Sequence, residues 1–312
     1  RVLWQSISAL QKRYSFVKCV VYTGYEKTSM PSEILLKVQN RFCINLEEPV
    51  EFVYLHCRRW VEPRCWPRFT IIGQSLGSII LGLEALFKFS PHFFIDTTGH
   101  SFVVPVFRWL GGCKTASYVH FPTVSLDMIE KVRGSASSYT HSVGVSQSRL
   151  LINLKIIYYQ LFAKLYGLAG RRNHVVMVNS TWTYGHISKL WGERNIYIIF
   201  PPCDTSSFQE VSLQRRGNRF RIVSIGQFRP EKDHKLQLRI LDTFLRKLSQ
   251  EDRQGVELVL IGSCRRNEGD AGRVIELRKL AKRLKIEEHV RFEIDIPFQK
   301  LKEEISEATA AL

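Results

Sequence analysis

The sequence predicts an α/β fold of parallel sheets in two successive units, divided near Pro201-Pro202. Three observations predict it. Short apolar runs are each followed by a Gly or polar turn and then by a longer helical pattern, which is the sequence form of right-handed βαβ units. The 312 residues exceed the usual size of one domain and suffice for two cores. Consecutive prolines continue neither a helix nor a central strand, so Pro201-Pro202 interrupts the series before it resumes. The expected units are 1–199 and 200–312.

Arg1 to Trp4 reads as the interior of a helix. The strand-like runs of the first unit are Phe16 to Tyr22, Glu51 to Leu55, Phe69 to Ile72, Phe93 to Asp96, Thr115 to His120 and Val175 to Val178, with helical stretches between most of them. Leu150 to Gly170 is apolar and aromatic but carries Lys155 and Lys164, which suits an amphipathic helix better than a membrane span; a core-packing helix is an equal alternative. In the second unit Phe220 to Ile225 leads through Gly226 to Asp233 into a helix, and Val256 to Ile261 leads through Gly262 to Asp270 into another. Val290 to Ile294, a helix around Lys300 to Glu307, and the start of a strand at Thr309 to Leu312 complete the pattern.

Apolar residues at 45% and charged residues at 24%, without low-complexity tracts or repeats, exclude disordered, collagen-like and solenoid classes. The net charge of +16 favours anionic partners in general. Its basic pairs (Arg58 and Arg59, Arg171 and Arg172, Arg215 and Arg216, Arg265 and Arg266) are scattered rather than massed, and no RNA- or DNA-reading motif is present, so nucleic acid is not an expected partner. Seven widely spaced cysteines without a C-x-x-C indicate neither a disulfide framework nor a zinc site.

Gly73-Gln74-Ser75-Leu76-Gly77 fits the G-x-S-x-G of a hydrolase nucleophile elbow. Its partners would be Asp96 and His120, which end consecutive strands only some twenty residues apart, so the context fails. Glycines at such spacing also serve close helix packing. The segment Ser224 to His234 is a stronger candidate: it leaves a buried strand, turns and opens a helix, where backbone N–H groups, Arg229 and Lys232 suit a nucleotide diphosphate. A solvated surface loop is the competing reading, and spacing alone does not decide between them.

That segment, with Pro201-Pro202-Cys203-Asp204-Thr205 before it and Leu260-Ile261-Gly262-Ser263-Cys264 after it, closely resembles the eukaryotic α-1,2-mannosyltransferases that extend the dolichol-diphosphate-linked oligosaccharide on the cytosolic face of the endoplasmic reticulum. Gly73 to Ser78, Asp96-Thr97-Thr98-Gly99, Gly111-Gly112-Cys113, Tyr118 to Thr123 and Val178 to Thr183 carry the likeness across the whole chain.

The resemblance implies a GT-B fold, two Rossmann-like domains facing a cleft, and transfer of mannose from GDP-mannose with retention of configuration. It implies catalytic roles for His120, Lys232 and Arg229, the last because Gln227 stands where many relatives have an arginine after the glycine. Gly226, Gln227, Glu231, Gly262 and Ser263 would bind the donor, and Asp96, Thr97 and Gly99 would line the acceptor side of the cleft. No D-x-D occurs in the chain, so no cofactor and no essential metal ion is expected.

The implied partners are GDP-mannose, the dolichol-diphosphate-linked oligosaccharide, the membrane surface and other early-pathway mannosyltransferases. The family's Gly-rich turn would precede Arg1 and its glutamate pair would follow Leu312, so residues 1–312 alone are expected to be inactive. The alternatives are a same-fold transferase for another nucleotide sugar or acceptor, and a non-catalytic module for anionic lipid.

Overall fold

A computed structural model describes residues 1–24, 30–125, 127–128, 149–203, 205–209, 211, 219–264 and 268–312. Asp204 and the pairs Arg215-Arg216 and Arg265-Arg266 lie outside the described residues. The chain divides into two compact units, Arg1–Cys203 and Asp204–Leu312, and every strand pairing in both is parallel. All seven cysteines are free thiols.

The first unit runs α1 (Val2–Arg13), β1 (Val20–Gly24), α2 (Pro31–Phe42), β2 (Glu51–Leu55), α3 (Thr70–Lys88), β3 (Phe93–Asp96), β4 (Lys114–Val119), α4 (Arg149–Gly170), β5 (Val175–Val178), α5 (Thr181–Trp191) and β6 (Ile196–Ile198). β1 pairs with β2, and a second sheet has the order β3-β4-β5-β6. The strand β6, only three residues long, has no counterpart in the sequence reading. The main core gathers Val119, Val178, Phe162, Tyr166, Ile187 and Trp191 between β4, β5, α4 and α5.

One expected strand is a helix. Phe69 to Ile72 reads as strand because it is aromatic and β-branched, yet Thr70 already belongs to α3 and Phe69 is its cap at φ 53°. Packing overrides the local preference: Ile71 and Ile72 join the main core, and the Thr70 hydroxyl donates to the Trp66 carbonyl at 2.7 Å. The G-x-S-x-G therefore lies inside a helix, and the Ser75 hydroxyl donates to the Ile71 carbonyl one turn back at 2.8 Å. A Cβ on Gly73 would stand 2.2 Å from the Trp66 ring, and one on Gly77 2.0 Å from the Trp60 carbonyl oxygen. These glycines let two tryptophans approach the helix; they do not present a nucleophile.

Helix α4 is apolar on two faces rather than amphipathic. Tyr159, Phe162, Tyr166 and Ala169 fill the core, while Leu154, Ile157, Leu161, Leu165 and Leu168, three or four residues apart, form a solvent-facing stripe about half exposed throughout. Helix α3 is also unusually apolar, and it is long enough to cross a membrane.

The second unit runs β7 (Phe220–Ile225), α6 (His234–Arg246), β8 (Val256–Gly262), α7 (Glu268–Leu284), β9 (Val290–Ile294), α8 (Phe298–Ser306) and β10 (Ala310–Ala311), with sheet order β10-β7-β8-β9. β8 is central, which explains its nearly continuous apolar run, and Leu258 and Leu260 pack with Phe228, Leu238, Leu241 and Leu277.

Between this sheet and α8 runs a charged layer, from Arg221 and Glu257 near the starts of β7 and β8 to Glu293 near the end of β9. Glu304, 7% exposed, accepts from both terminal nitrogens of Arg291 at 2.6 and 2.7 Å and from Arg221 at 3.3 Å. Glu257 accepts from Arg221 and Arg291, and Glu293 from Arg291 and Lys300. Removing one member of a buried ion network leaves the others desolvated without a counter-charge. Glu304→Ala is expected to lower the stability of this unit by about 3 kcal/mol, the lower end of the range for buried pairs because Arg291 keeps partial access to water. Chemical denaturation followed by circular dichroism checks it.

Candidate functional site

Ligands of open parallel sheets bind beyond the carboxyl ends of the strands, and the motif residues of each unit lie there. In the first unit Asp96 closes β3, and its Oδ1 accepts from Thr98 N–H at 2.9 Å, the Thr98 hydroxyl at 2.8 Å and Gly99 N–H at 3.2 Å. The chain leaves this Asx turn through Gly99 at φ 90°, a conformation that favours glycine. Asp96 is buried, so its immediate effect is to shape the turn. Asp96 and Thr97 line a cavity of about 260 Å³ with Thr98, His100, Tyr22 and Arg58; Gly99 and His120 do not line it. The cavity lies between β1 and β3, each the end strand of its own sheet.

His120 directly follows β4 and is exposed, its ring edge-on to Tyr118 at 4.9 Å. The Tyr118 hydroxyl is anchored on the Ile199 carbonyl at 2.8 Å, so the histidine rests on a fixed neighbour. Beyond β5, Ser180 caps α5 by accepting from Thr183 N–H at 3.2 Å. The Asn179 side-chain oxygen accepts from the Thr183 hydroxyl at 2.7 Å, which ties the asparagine into the same turn.

In the second unit two loops cross at the ends of β7 and β8. Gly226 N–H donates to the Ile261 carbonyl at 2.8 Å, and Phe228 N–H to the Ser263 carbonyl at 3.2 Å. A Cβ on Gly262 would sit 1.9 Å from the Gly226 carbonyl oxygen, so only glycine permits the crossing. Lys232 folds its aliphatic stem over Gly226, with Cδ 3.3 Å from where a Cβ would stand there, and its ammonium makes no ion pair among the described residues. Arg229 differs: it faces Glu231 at 3.7 Å and is partly neutralised. The Gln227 N–H has no hydrogen-bond partner among the described residues.

The expected role of the helix N-terminus is modified. Asp233, at φ 42°, caps α6 with its own carboxylate, which accepts from Leu236 N–H at 3.3 Å. A negative cap takes the place an anion would occupy at that helix end, so attraction for a diphosphate here rests on Lys232, Arg229 and free loop N–H groups. Gly226, Gln227, Arg229, Glu231, Lys232, Gly262 and Ser263 thus come together around one crossing in the second unit, while Asp96, Thr97, Gly99 and His120 share the strand-end edge of the first.

Two supporting residues escaped the sequence reading. His234, 3% exposed, stacks on the fully buried Phe228 at 5.0 Å, and Arg273 reaches from α7 to donate to the Phe228 carbonyl at 3.1 Å. Arg273 belongs to no recognisable motif, and His234, the last residue of the Ser224–His234 segment, carries no expected role there. Burial, reinforced by the Arg273 and Lys232 charges, holds the His234 pKa below its ordinary value of 6.5. The folded state therefore takes up this proton less readily than the unfolded chain, and the stabilisation present above pH 6.5 is lost as pH falls below it. The melting temperature of the second unit is expected to drop between pH 7.5 and 5.5, and a His234→Phe variant to show a shallower drop, by thermal denaturation at stepped pH.

Comparison with known proteins bears on this arrangement. Residues 1–191 match the family model described as ALG11 mannosyltransferase N-terminus. The chain is 45% identical to GDP-Man:Man(3)GlcNAc(2)-PP-Dol alpha-1,2-mannosyltransferase of Xenopus laevis, 44% to that of Homo sapiens and 43% to that of Dictyostelium discoideum. All of the chain is covered in each, and it spans 64%, 64% and 63% of those proteins. Among solved structures it resembles the α,α-trehalose 6-phosphate synthase of Burkholderia multivorans (TM-score 0.59, 11% identity, 92% of this chain and 75% of that one). It also resembles a glycosyltransferase of Rickettsia africae (TM-score 0.54, 10% identity, 99% and 67%). At such identities these two speak for the fold alone, which is of the GT-B class. A likeness at 43–45% identity along the whole chain, with the family's own model matching its first unit, means that the chain belongs to the ALG11 mannosyltransferase family.

Proposed function

We propose that the full-length protein transfers mannose from GDP-mannose to the dolichol-diphosphate-linked oligosaccharide, forming an α-1,2 linkage with retention of configuration, on the cytosolic face of the endoplasmic reticulum in the pathway of protein N-glycosylation. The observation that carries this reading is Lys232, held over the Gly226–Gly262 crossing with no ion pair among the described residues, in a chain whose relatives are named for this reaction. As the bond from the mannose anomeric carbon to the diphosphate lengthens, negative charge grows on the departing oxygens. A cation already in place there stabilises the transition state more than the ground state. Lys232 meets that requirement without first breaking an ion pair. Arg229 joins it by exchanging Glu231 for the diphosphate, which leaves Glu231 available to the donor's hydroxyls.

Gly226, Gln227, Gly262 and Ser263 bring backbone close to the nucleotide, a role that needs the absence of side chains at the crossing. In the first unit the exposed imidazole of His120 serves to hydrogen-bond a sugar hydroxyl near the reacting carbon, and Asp96, Thr97 and Gly99 shape the acceptor's path. No metal ion is assigned to the reaction, because no D-x-D is present in the chain to bridge one to the diphosphate.

In full-length protein, Lys232→Ala is expected to reduce transfer of labelled mannose to a lipid-linked trimannosyl acceptor by roughly 100-fold or more, with an unchanged circular dichroism spectrum. Wild-type transfer is expected to persist in EDTA. A folded protein that binds a different nucleotide sugar and transfers nothing from GDP-mannose would discard the donor assignment.

The stripe on α4 is the proposed contact with the membrane surface, since water is a poor partner for five aligned aliphatic side chains while Lys164 beside them can extend towards headgroups. Leu161→Glu combined with Leu165→Glu is expected to weaken flotation with anionic liposomes severalfold without lowering the melting temperature, because both positions are already exposed.

A further inference from the structure

Next to His120 the first unit exposes two aromatic rings that its fold does not need. Phe121 is 57% and Trp182 42% exposed, yet the two stack on each other with ring centroids 5.0 Å apart and planes at 25°. They come from different elements: Phe121 follows β4, and Trp182 lies in the first turn of α5. Trp182 is fixed from behind. The Trp182 ring meets His186 edge-on at 4.2 Å, and His186, 8% exposed, approaches the half-exposed carboxylate of Asp127 at 3.4 Å. The Ser180 cap sets the start of α5, and with it the place where Trp182 leaves the helix.

We propose that Phe121 and Trp182 form a stacking platform for a pyranose ring of the carbohydrate acceptor. The identity of that sugar chain rests on the function proposed above, but the platform itself does not. A pyranose presents a face of C–H groups ringed by hydroxyls. It is recognised by a flat, electron-rich aromatic surface beneath it and polar groups around it; here His120 directly precedes Phe121 in the chain, and the Asp127 carboxylate meets the His186 on which Trp182 rests. A nucleobase would also stack on such rings, but the crossing that suits a nucleotide diphosphate is in the other unit, and Lys232 has no counterpart among the residues described around this pair. A pre-stacked pair loses little conformational freedom on binding, so it favours a ligand whose separate contacts are individually weak.

The test uses full-length protein and the free Man3GlcNAc2 oligosaccharide as probe, read by saturation-transfer difference NMR. Wild type is expected to saturate the mannose C–H protons; Trp182→Ala and Phe121→Leu are expected to abolish most of that signal, and Trp182→Phe to retain it. In the transfer assay Trp182→Ala is expected to raise the acceptor KM roughly three- to tenfold while leaving the KM for GDP-mannose unchanged. Equal saturation by wild type and both disruptive variants would overturn the proposal. So would a variant that loses only liposome flotation, which would make the pair a membrane anchor. If wild type transfers no mannose yet the oligosaccharide signal still depends on Trp182, the reaction assignment falls and the platform stands.

Discussion

The second unit is organised by the contact between Gly226 and Gly262. The carbonyl oxygen of the first stands 1.9 Å from where a Cβ on the second would be, a separation no other residue at 262 could accept. Because the two loops touch at that point, the Phe228 N–H reaches the Ser263 carbonyl, Phe228 is driven into the core, and Lys232 returns over Gly226. A side chain at the crossing would separate β7 from β8 just where their register ends, at Ile225 opposite Ile261. The placement of the cation is a consequence of backbone packing, and only secondarily of the lysine itself.

Much of this fold was legible because parallel strands buried on both faces are written as continuous apolar runs. Val256 to Gly262 and Phe220 to Ile225 could hardly be anything else, and the boundary at Pro201-Pro202 follows from proline geometry. Phe69 to Ile72 failed for a physical reason: β-branched residues report a preference for half-buried surface, and the start of a core helix is also such a surface. The G-x-S-x-G illustrates the same limit, since the tryptophans that require its glycines come from an irregular segment with no periodic signature. At the site, the residue types were readable but their pairing was not. That Arg229 is met by Glu231 while Lys232 is not depends on the short helical turn at Pro230–Lys232, which spacing alone leaves undetermined.

The α4 helix shows how one sequence stretch can satisfy two demands. Its aromatic face completes the core of the first unit, and that burial already accounts for the helix being stable. The aliphatic stripe on the other face adds less to folding, because its side chains stay about half exposed. Two isolated lysines in a 22-residue helix are too few to describe it as amphipathic in the usual sense. Its pattern is aromatic towards the core and aliphatic towards solvent.

The charge arrangement around Lys232 carries the same logic into the chemistry. A helix N-terminus would ordinarily supply attraction for an anion, yet Asp233 places a carboxylate there. A fixed negative cap holds α6 in register whether or not a ligand is present, and it keeps the helix end from capturing phosphate in an unproductive position. The attraction is displaced onto side chains, of which Lys232 is exposed and without an ion pair among the described residues, while Arg229 faces Glu231. The buried His234 packs on Phe228 beside these cations, its pKa held below the ordinary value first by burial and then by the Arg273 and Lys232 charges. Lys232 stands exposed over the crossing while Arg273 is tied to the Phe228 carbonyl, so the positive charge of the site is divided between a solvent-facing cation and a bound one.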